Sequence, residues 1–164
     1  GINMSYPSQP AGMIRDRVGE DGKMFVALDG RKVVGTASVR VKNVNNWFHT
    51  GRTAYFGFDA VHPEYQGKGV YKKLSSARYE YLATTDLRTI FMDTHLDNKH
   101  IQHILAAQGF KYVDLKRTPD HFSVRMFKWL DGCPYSDFKC RVMYLKRYWA
   151  EKLRYAKSRF FNAE

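Results

Sequence analysis

The apolar positions change period several times along the chain, and each change marks an element. Two β-rich runs in KMFVALDGRKVVGTASVRV, residues 23–41, flank Asp29-Gly30, a strong turn pair, and predict a hairpin. VKNVNNWFHTGR, residues 41–52, is polar and reads as a connection. TAYFGFDAV, residues 53–61, is apolar on both faces and reads as a central strand. Val70, Leu74, Ala77 and Tyr81 then recur at helical spacing and predict a helix from Val70 to Thr84. RTIFMDTH, residues 88–95, is a further strand. Asp97 or Asn98 can cap a helix running through Gln108, and Gly109 stops it. FKYVDLKRT and HFSVRMFKWL form a closing hairpin around Pro119-Asp120, and a last helix spans Ser136 to Phe161. Residues 1–10 read as a loose lead-in, and residues 11–19 as a short helix ending at Gly19. Strands alternate with helices in the middle and hairpins lie at the ends. The expectation is an α/β fold, α+β in detail, on one mixed sheet.

Composition adds limits to this pattern. A chain of 164 residues with 44% hydrophobic residues can bury a core, so a folded domain is expected rather than disorder. No apolar run reaches the roughly 18–20 residues of a membrane-spanning helix. Cys133 and Cys140 form no metal-binding pattern and read as reduced thiols, which points to a cytoplasmic location. The net charge of +11 asks for an anionic partner: a nucleic acid, an anionic lipid surface or a phosphorylated cofactor.

One turn suits the last of these. In VHPEYQGKGVY, residues 61–71, a strand ends, two glycines bracket Lys68, and a helix begins near Gly69. The N–H groups of Gln66, Gly67, Lys68, Gly69, Val70 and Tyr71 can wrap an anion such as a pyrophosphate at the positive end of the helix dipole. Lys68, Lys72 and Lys73 add charge. Val70 excludes the nucleotide P-loop, which needs Gly-Lys-Ser/Thr, and Lys72 stands where a dinucleotide fingerprint needs a third glycine. On the glycines alone, a plain strand-to-helix turn and a phosphate cradle are both open.

A second block narrows the choice. V-x-P-E-Y-Q-G-K-G-V-Y resembles the acetyl-CoA-binding motif of the GNAT superfamily of N-acetyltransferases, and FMDTHLDNKHIQHILAAQGFKYV resembles that family's next strand, its Asn, here Asn98, and its helix ending in Gly-Phe. The resemblance covers residues 24–130. It implies a splayed central sheet flanked by helices. It also implies a pantetheine arm paired with the backbone of Asp59, Ala60 and Val61, a pyrophosphate on residues 66–71, and a cofactor contact at Asn98. A backbone N–H near Val61 is expected to stabilise the oxyanion.

The chain departs from the family at two places. Tyr71 replaces the usual Gly or Ala, and is expected to point away, since only its N–H is needed. Leu105 stands where the family often has a tyrosine that protonates the departing thiolate. A thiolate of pKa about 8.5 leaves without much help. The amine is the harder half, because an ammonium of pKa about 10.4 must lose a proton before it attacks. Asp93 is the candidate base, similar in position to a glutamate of the ribosomal-protein acetyltransferases; an ion-paired or capping carboxylate is the other reading. Asp59 serves as a base only if it faces the cleft. His95, His100 and His103 cluster near the second block without a complete metal ligand set.

The tail is basic. From Cys133 to Glu164 there are eight Lys/Arg against three Asp/Glu, and Phe138, Val142, Leu145, Trp149, Leu153 and Phe160 align along one stripe. That stripe packs on the domain or on a second subunit, or lies on an anionic membrane; nucleic acid ranks last, since no reading motif accompanies the charge. Residues 1–132 are expected to be the GNAT-like domain and 133–164 a helical extension. The family's usual first strand and helices are expected upstream of Gly1 or trimmed. The resemblance thus implies acetyl transfer from acetyl-CoA to a primary amine; the alternative is an acyl-CoA-binding module with reduced or no turnover.

Overall fold

The computed structural model describes residues 22–118 and 120–161. The lead-in at 1–10, the short helix at 11–19 and Pro119 lie outside them, as do the side chains of residues 157–161. The strands are β1 (Lys23–Asp29), β2 (Lys32–Asn46), β3 (His49–Val61), β4 (Thr89–His95), β5 (Lys111–Arg117) and β6 (Phe122–Trp129), and the helices are α1 (Val70–Ala83), α2 (Lys99–Ala107) and α3 (Asp137–Phe161). They form one six-stranded sheet in the order β1-β2-β3-β4-β6-β5, the mixed α/β architecture expected. The chain divides into two compact units, residues 1–42 with 54–86, and residues 43–53 with 87–164.

In the first unit, β1 and β2 pair antiparallel around Asp29↔Lys32, with Gly30 at φ 57° in the turn. This is the predicted hairpin. Val34, Ala37, Val39, Ala54 and Phe56 form its core together with Leu74 and Leu82 of α1. The helix starts at the predicted residue and is capped at its end by Thr84.

In the second unit, β6 lies between β4 and β5, antiparallel to both. Ile90, Val113, Val124, Met126 and Phe127 are fully buried. Asn98 caps α2 by accepting from the Ile101 N–H at 3.3 Å, and Gly109 leaves it at φ 89°, as the sequence pattern requires. The N–H and hydroxyl of Thr118 both donate to the carbonyl of His121, which closes the β5–β6 connection. α3 packs on β5 through ring pairs such as Tyr112–Tyr144 at 5.3 Å.

One expectation fails. Residues 41–52 are not a connection: β2 runs on to Asn46, the chain turns at Trp47-Phe48, and β3 begins at His49. The polar letters belong to a strand, with Asn43 and Asn45 forming an exposed outer row around buried Val44. Phe48 anchors the turn on Phe127, ring centroids 4.9 Å apart, and Thr50 Oγ1 donates to Asn45 Oδ1 at 3.2 Å. Such mixed patterns read as loops whenever the outer face outnumbers the inner one.

Candidate active site

The turn at residues 62–71 is built by its own backbone. His62 caps a 3₁₀ turn at Pro63–Tyr65, its Nδ1 accepting from the Glu64 N–H. The N–H of Gln66 donates to Pro63 O at 3.2 Å and that of Lys68 to Tyr65 O at 3.3 Å. Two of the six amides named from the sequence are therefore spent inside the turn. Among the described residues, the N–H groups of Gly67, Gly69, Val70 and Tyr71 have no partner. Four unpaired donors at the start of a 14-residue helix are a ready anion site. Gly67 and Gly69 have φ of 75° and 79°, and a Cβ on either would meet nothing within 4 Å. The glycines are needed for the backbone shape, and the space beyond them is open. The side chain of Gln66 folds back to donate to Val61 O at 3.4 Å, while Lys68 lies over the Tyr65 ring. Lys72 and Lys73 are exposed beside the helix start.

Tyr71 points away from this opening. Its half-buried ring lies 5.9 Å from the guanidinium of Arg78, two turns along α1, and burial together with the charge of Asp59 pushes its phenol pKa up. Arg78 is fully buried, donates to Asp59 Oδ1 at 2.6 Å and stacks on Phe56 at 4.2 Å. Its Nε and Nη2 have no hydrogen-bond partner. Burial raises the Asp59 carboxyl, and Arg78 pulls it back only in part. The side chain of Asp59 is thus committed to the packing beneath α1. Just before it, Phe58 stands at φ 52°, unusual for a bulky strand residue. Thr36 Oγ1 donates to its carbonyl at 2.9 Å and Arg40 covers its ring at 5.0 Å. Beyond this distortion Ala60 is exposed, and Asp59 is exposed through its main chain while its side chain is largely covered.

In the second unit, Asp93 accepts from Arg125 Nε and Nη2, both at 2.7 Å. Arg125 is largely buried and stacks on Phe91 at 4.3 Å. Both oxygens of Asp93 accept from Arg125, the ion-paired arrangement named from the sequence. Asn98 spends its side-chain oxygen on the α2 cap. Gln102 is buried and donates to the carbonyls of His95 and Leu96, which ties α2 to the end of β4. Leu105 is buried and offers no acid. His95 stacks on His121, ring centroids 4.6 Å apart, while His100 and His103 are exposed on α2. No group of His, Cys, Asp and Glu among the described residues could hold a metal ion.

Four further residues shape these units: Arg78, Gly35, Arg125 and Phe58. Arg78 was visible in principle: Leu74, Arg78 and Leu82 share a spacing of four, so the arginine lies in the core stripe. Gly35 interrupts a strand pattern, the usual sign of close backbone approach. A Cβ there would stand 2.8 Å from Val70 Cγ1. Arg125 and Phe58 carry no local signal, because a cross-strand pair and a positive φ are set by the sheet.

The chain as a whole is similar to known proteins. The model of the Acetyltransferase (GNAT) family matches residues 3–110. A GNAT family acetyltransferase from Elizabethkingia anophelis with acetyl-CoA bound is similar at TM-score 0.58 and 13% identity, over 74% of this chain and 84% of that one. NAA60 of Arabidopsis thaliana, in complex with a bisubstrate analogue, gives TM-score 0.55 at 14% identity, over 68% and 77%. Ribosomal-protein-S5-alanine acetyltransferase from Vibrio fischeri gives 0.55 at 21%, over 70% and 65%. At such identities the likeness is one of fold. No curated protein matches the chain in sequence.

Proposed function

The chain belongs to the GNAT family of acetyltransferases, whose acetyl donor is acetyl-CoA, and on that premise we propose that it acetylates a primary amine by direct attack on the thioester. The observation that carries the proposal is the set of unpaired N–H groups on Gly67, Gly69, Val70 and Tyr71. They supply donors and the positive helix end for the pyrophosphate of CoA. Lys68, Lys72 and Lys73 add long-range attraction, and Gln66 holds the loop to Val61. The pantetheine arm lies along the backbone of Asp59, Ala60 and Val61, where Phe58 breaks the regular strand. Asn98 enters only as the cap that fixes the start of α2.

In the reaction the neutral amine forms an N–C bond to the acetyl carbon, the C–S bond breaks, and CoA leaves as thiolate. The ammonium proton goes to water. Asp93 enters first as the partner of Arg125, an ion pair that holds both its oxygens in place. No phenol stands at position 105, and the thiolate's modest basicity makes an acid helpful rather than indispensable.

Thermal unfolding with CoA and acetyl-CoA, followed by thiol release over a panel of amines, tests the reading. Ligand at about 100 times its Kd adds about 2.7 kcal/mol of stability. Gly69→Val abolishes that shift, because a β-branched residue does not tolerate φ of 79°. No shift at millimolar ligand sinks the cofactor site. A shift without thiol release from any amine assigns the chain to acyl-CoA binding without turnover.

A further inference from the structure

The long helix α3 has two apolar faces, and among the described residues only one is covered. Cys140, Tyr144 and Tyr155 face the sheet: Cys140 is buried, Tyr144 packs on Tyr112, and Tyr155 meets Phe122 at 5.5 Å. On the far side Phe138, Leu145, Trp149 and Leu153 are 77%, 44%, 61% and 59% exposed. At 3.6 residues per turn they fall within about 80° of arc, roughly opposite the packed face. Single exposed apolar residues are ordinary, but four large ones in a continuous row are not.

The borders of the row are cationic. Lys139 and Lys146 flank it on one side, Arg141 and Lys152 on the other. Over residues 137–156 there are six Lys/Arg (139, 141, 146, 147, 152 and 154) against Asp137 and Glu151. Those two acids already pair with Lys111 and Arg154, at 2.8 and 2.7 Å. Arg141 and Lys146 have no acid opposite them among the described residues.

We infer that this outward face of α3 docks on the surface of an anionic lipid bilayer, with the helix lying in the interface plane. Aromatic and aliphatic side chains between rows of Lys/Arg are what such an interface takes up: the apolar stripe enters the headgroup boundary by roughly 5–10 Å while the cations meet lipid phosphates. Trp149 suits that boundary, with an apolar body and one N–H donor. Docking replaces spanning, since no helix among the described residues is long and apolar enough to cross a membrane. A second copy of the chain is a poorer occupant, because two positive faces of the same sign would meet.

Flotation of the full chain with phosphatidylcholine vesicles, with and without phosphatidylserine, tests this. Deleting α3 is not a clean test, since Tyr144 and Cys140 belong to the packed interior. The pair Trp149→Ser with Leu153→Ser changes exposed side chains only. The wild-type chain floats with the serine-lipid vesicles and not with phosphatidylcholine alone, and the apolar pair loses flotation. Arg141→Gln and Lys146→Gln each weaken binding roughly fivefold, and added salt weakens it further. The CoA-dependent thermal shift is unchanged in every variant, which separates this surface from the acetyl-CoA site. Flotation that is absent, or equal in wild type and variants, overturns the inference. So does a concentration-dependent dimer in sedimentation that the apolar pair abolishes while no vesicles are bound; the face would then belong to a second copy.

Discussion

A Cβ on Gly35 of β2 would stand 2.8 Å from Cγ1 of Val70 and 3.2 Å from the carbonyl oxygen of Ala60. The start of α1 and the end of β3 therefore both close in on a single glycine. Gly35→Ala forces the helix start outward, and overpacking of this kind costs about 1–3 kcal/mol. Because the unpaired amides ride on that helix start, CoA affinity falls by about tenfold, the equivalent of 1.4 kcal/mol. Urea unfolding and isothermal titration measure the two effects. A folded variant with unchanged affinity would detach Gly35 from the phosphate site.

Arg78 and Asp59 invite a double-mutant cycle. Removing one member of a buried ion pair leaves the other charge uncompensated, at a cost of about 3–5 kcal/mol. Arg78→Met and Asp59→Leu are each expected in that range. The double variant costs much less than their sum, since Nε and Nη2 of Arg78 are already without partners and apolar replacements remove that penalty. Strict additivity in chemical denaturation would show that the two residues do not act as a pair.

Asp93→Asn separates an ion pair from a base. Loss of the charged partner of Arg125 should lower stability by about 2 kcal/mol. Turnover of the folded variant keeps the shape of its pH profile. A general base would instead show a loss of about 10²- to 10⁴-fold with the rising limb removed. That result would return Asp93 to the chemistry.

The Cys140 thiol and the Tyr144 phenol set an alkaline limit. Burial, helped by Cys133 at 4.0 Å, pushes the Cys140 thiol up to about 11, and burial pushes the Tyr144 phenol up to about 12. Unfolded, both groups release their protons at lower pH. Above the ordinary thiol range the folded chain therefore holds more protons than the unfolded one, so stability falls as pH rises toward about 12. It is fully present below that range. Tyr144→Phe and Cys140→Ala should flatten the decline in melting temperature. At neutral pH iodoacetamide should label partly exposed Cys133 well before Cys140.

Elements with strong local grammar were legible in the sequence. Asp29-Gly30, Asn98 and Gly109 each state a turn or a cap in one or two letters, and the structure places them there. The strand ends around Trp47 were not legible, because a two-sided ribbon with a polar outer row looks like a loop until Phe48 finds Phe127. At the site, the glycines of the turn announced a backbone shape. They did not reveal which amides stay unpaired, since that depends on the 3₁₀ turn at Pro63–Tyr65 taking up Gln66 and Lys68. The ion pairs of Asp59 and Asp93 were illegible for a further reason. Their partners lie 19 and 32 residues away and meet them only through helix-on-sheet packing and strand pairing.

Tyr71 extends this beyond one chain. Its ring lies beside Arg78 while its N–H stays unpaired, so the opening tolerates any side chain that α1 can absorb on its inner face. What the turn demands is a pair of left-handed residues at 67 and 69 followed by a helix with room beneath its first turn. Described in dihedral angles rather than letters, the site has no consensus at position 71 at all. A search phrased in that geometry would gather chains that a glycine-or-alanine rule at that position discards.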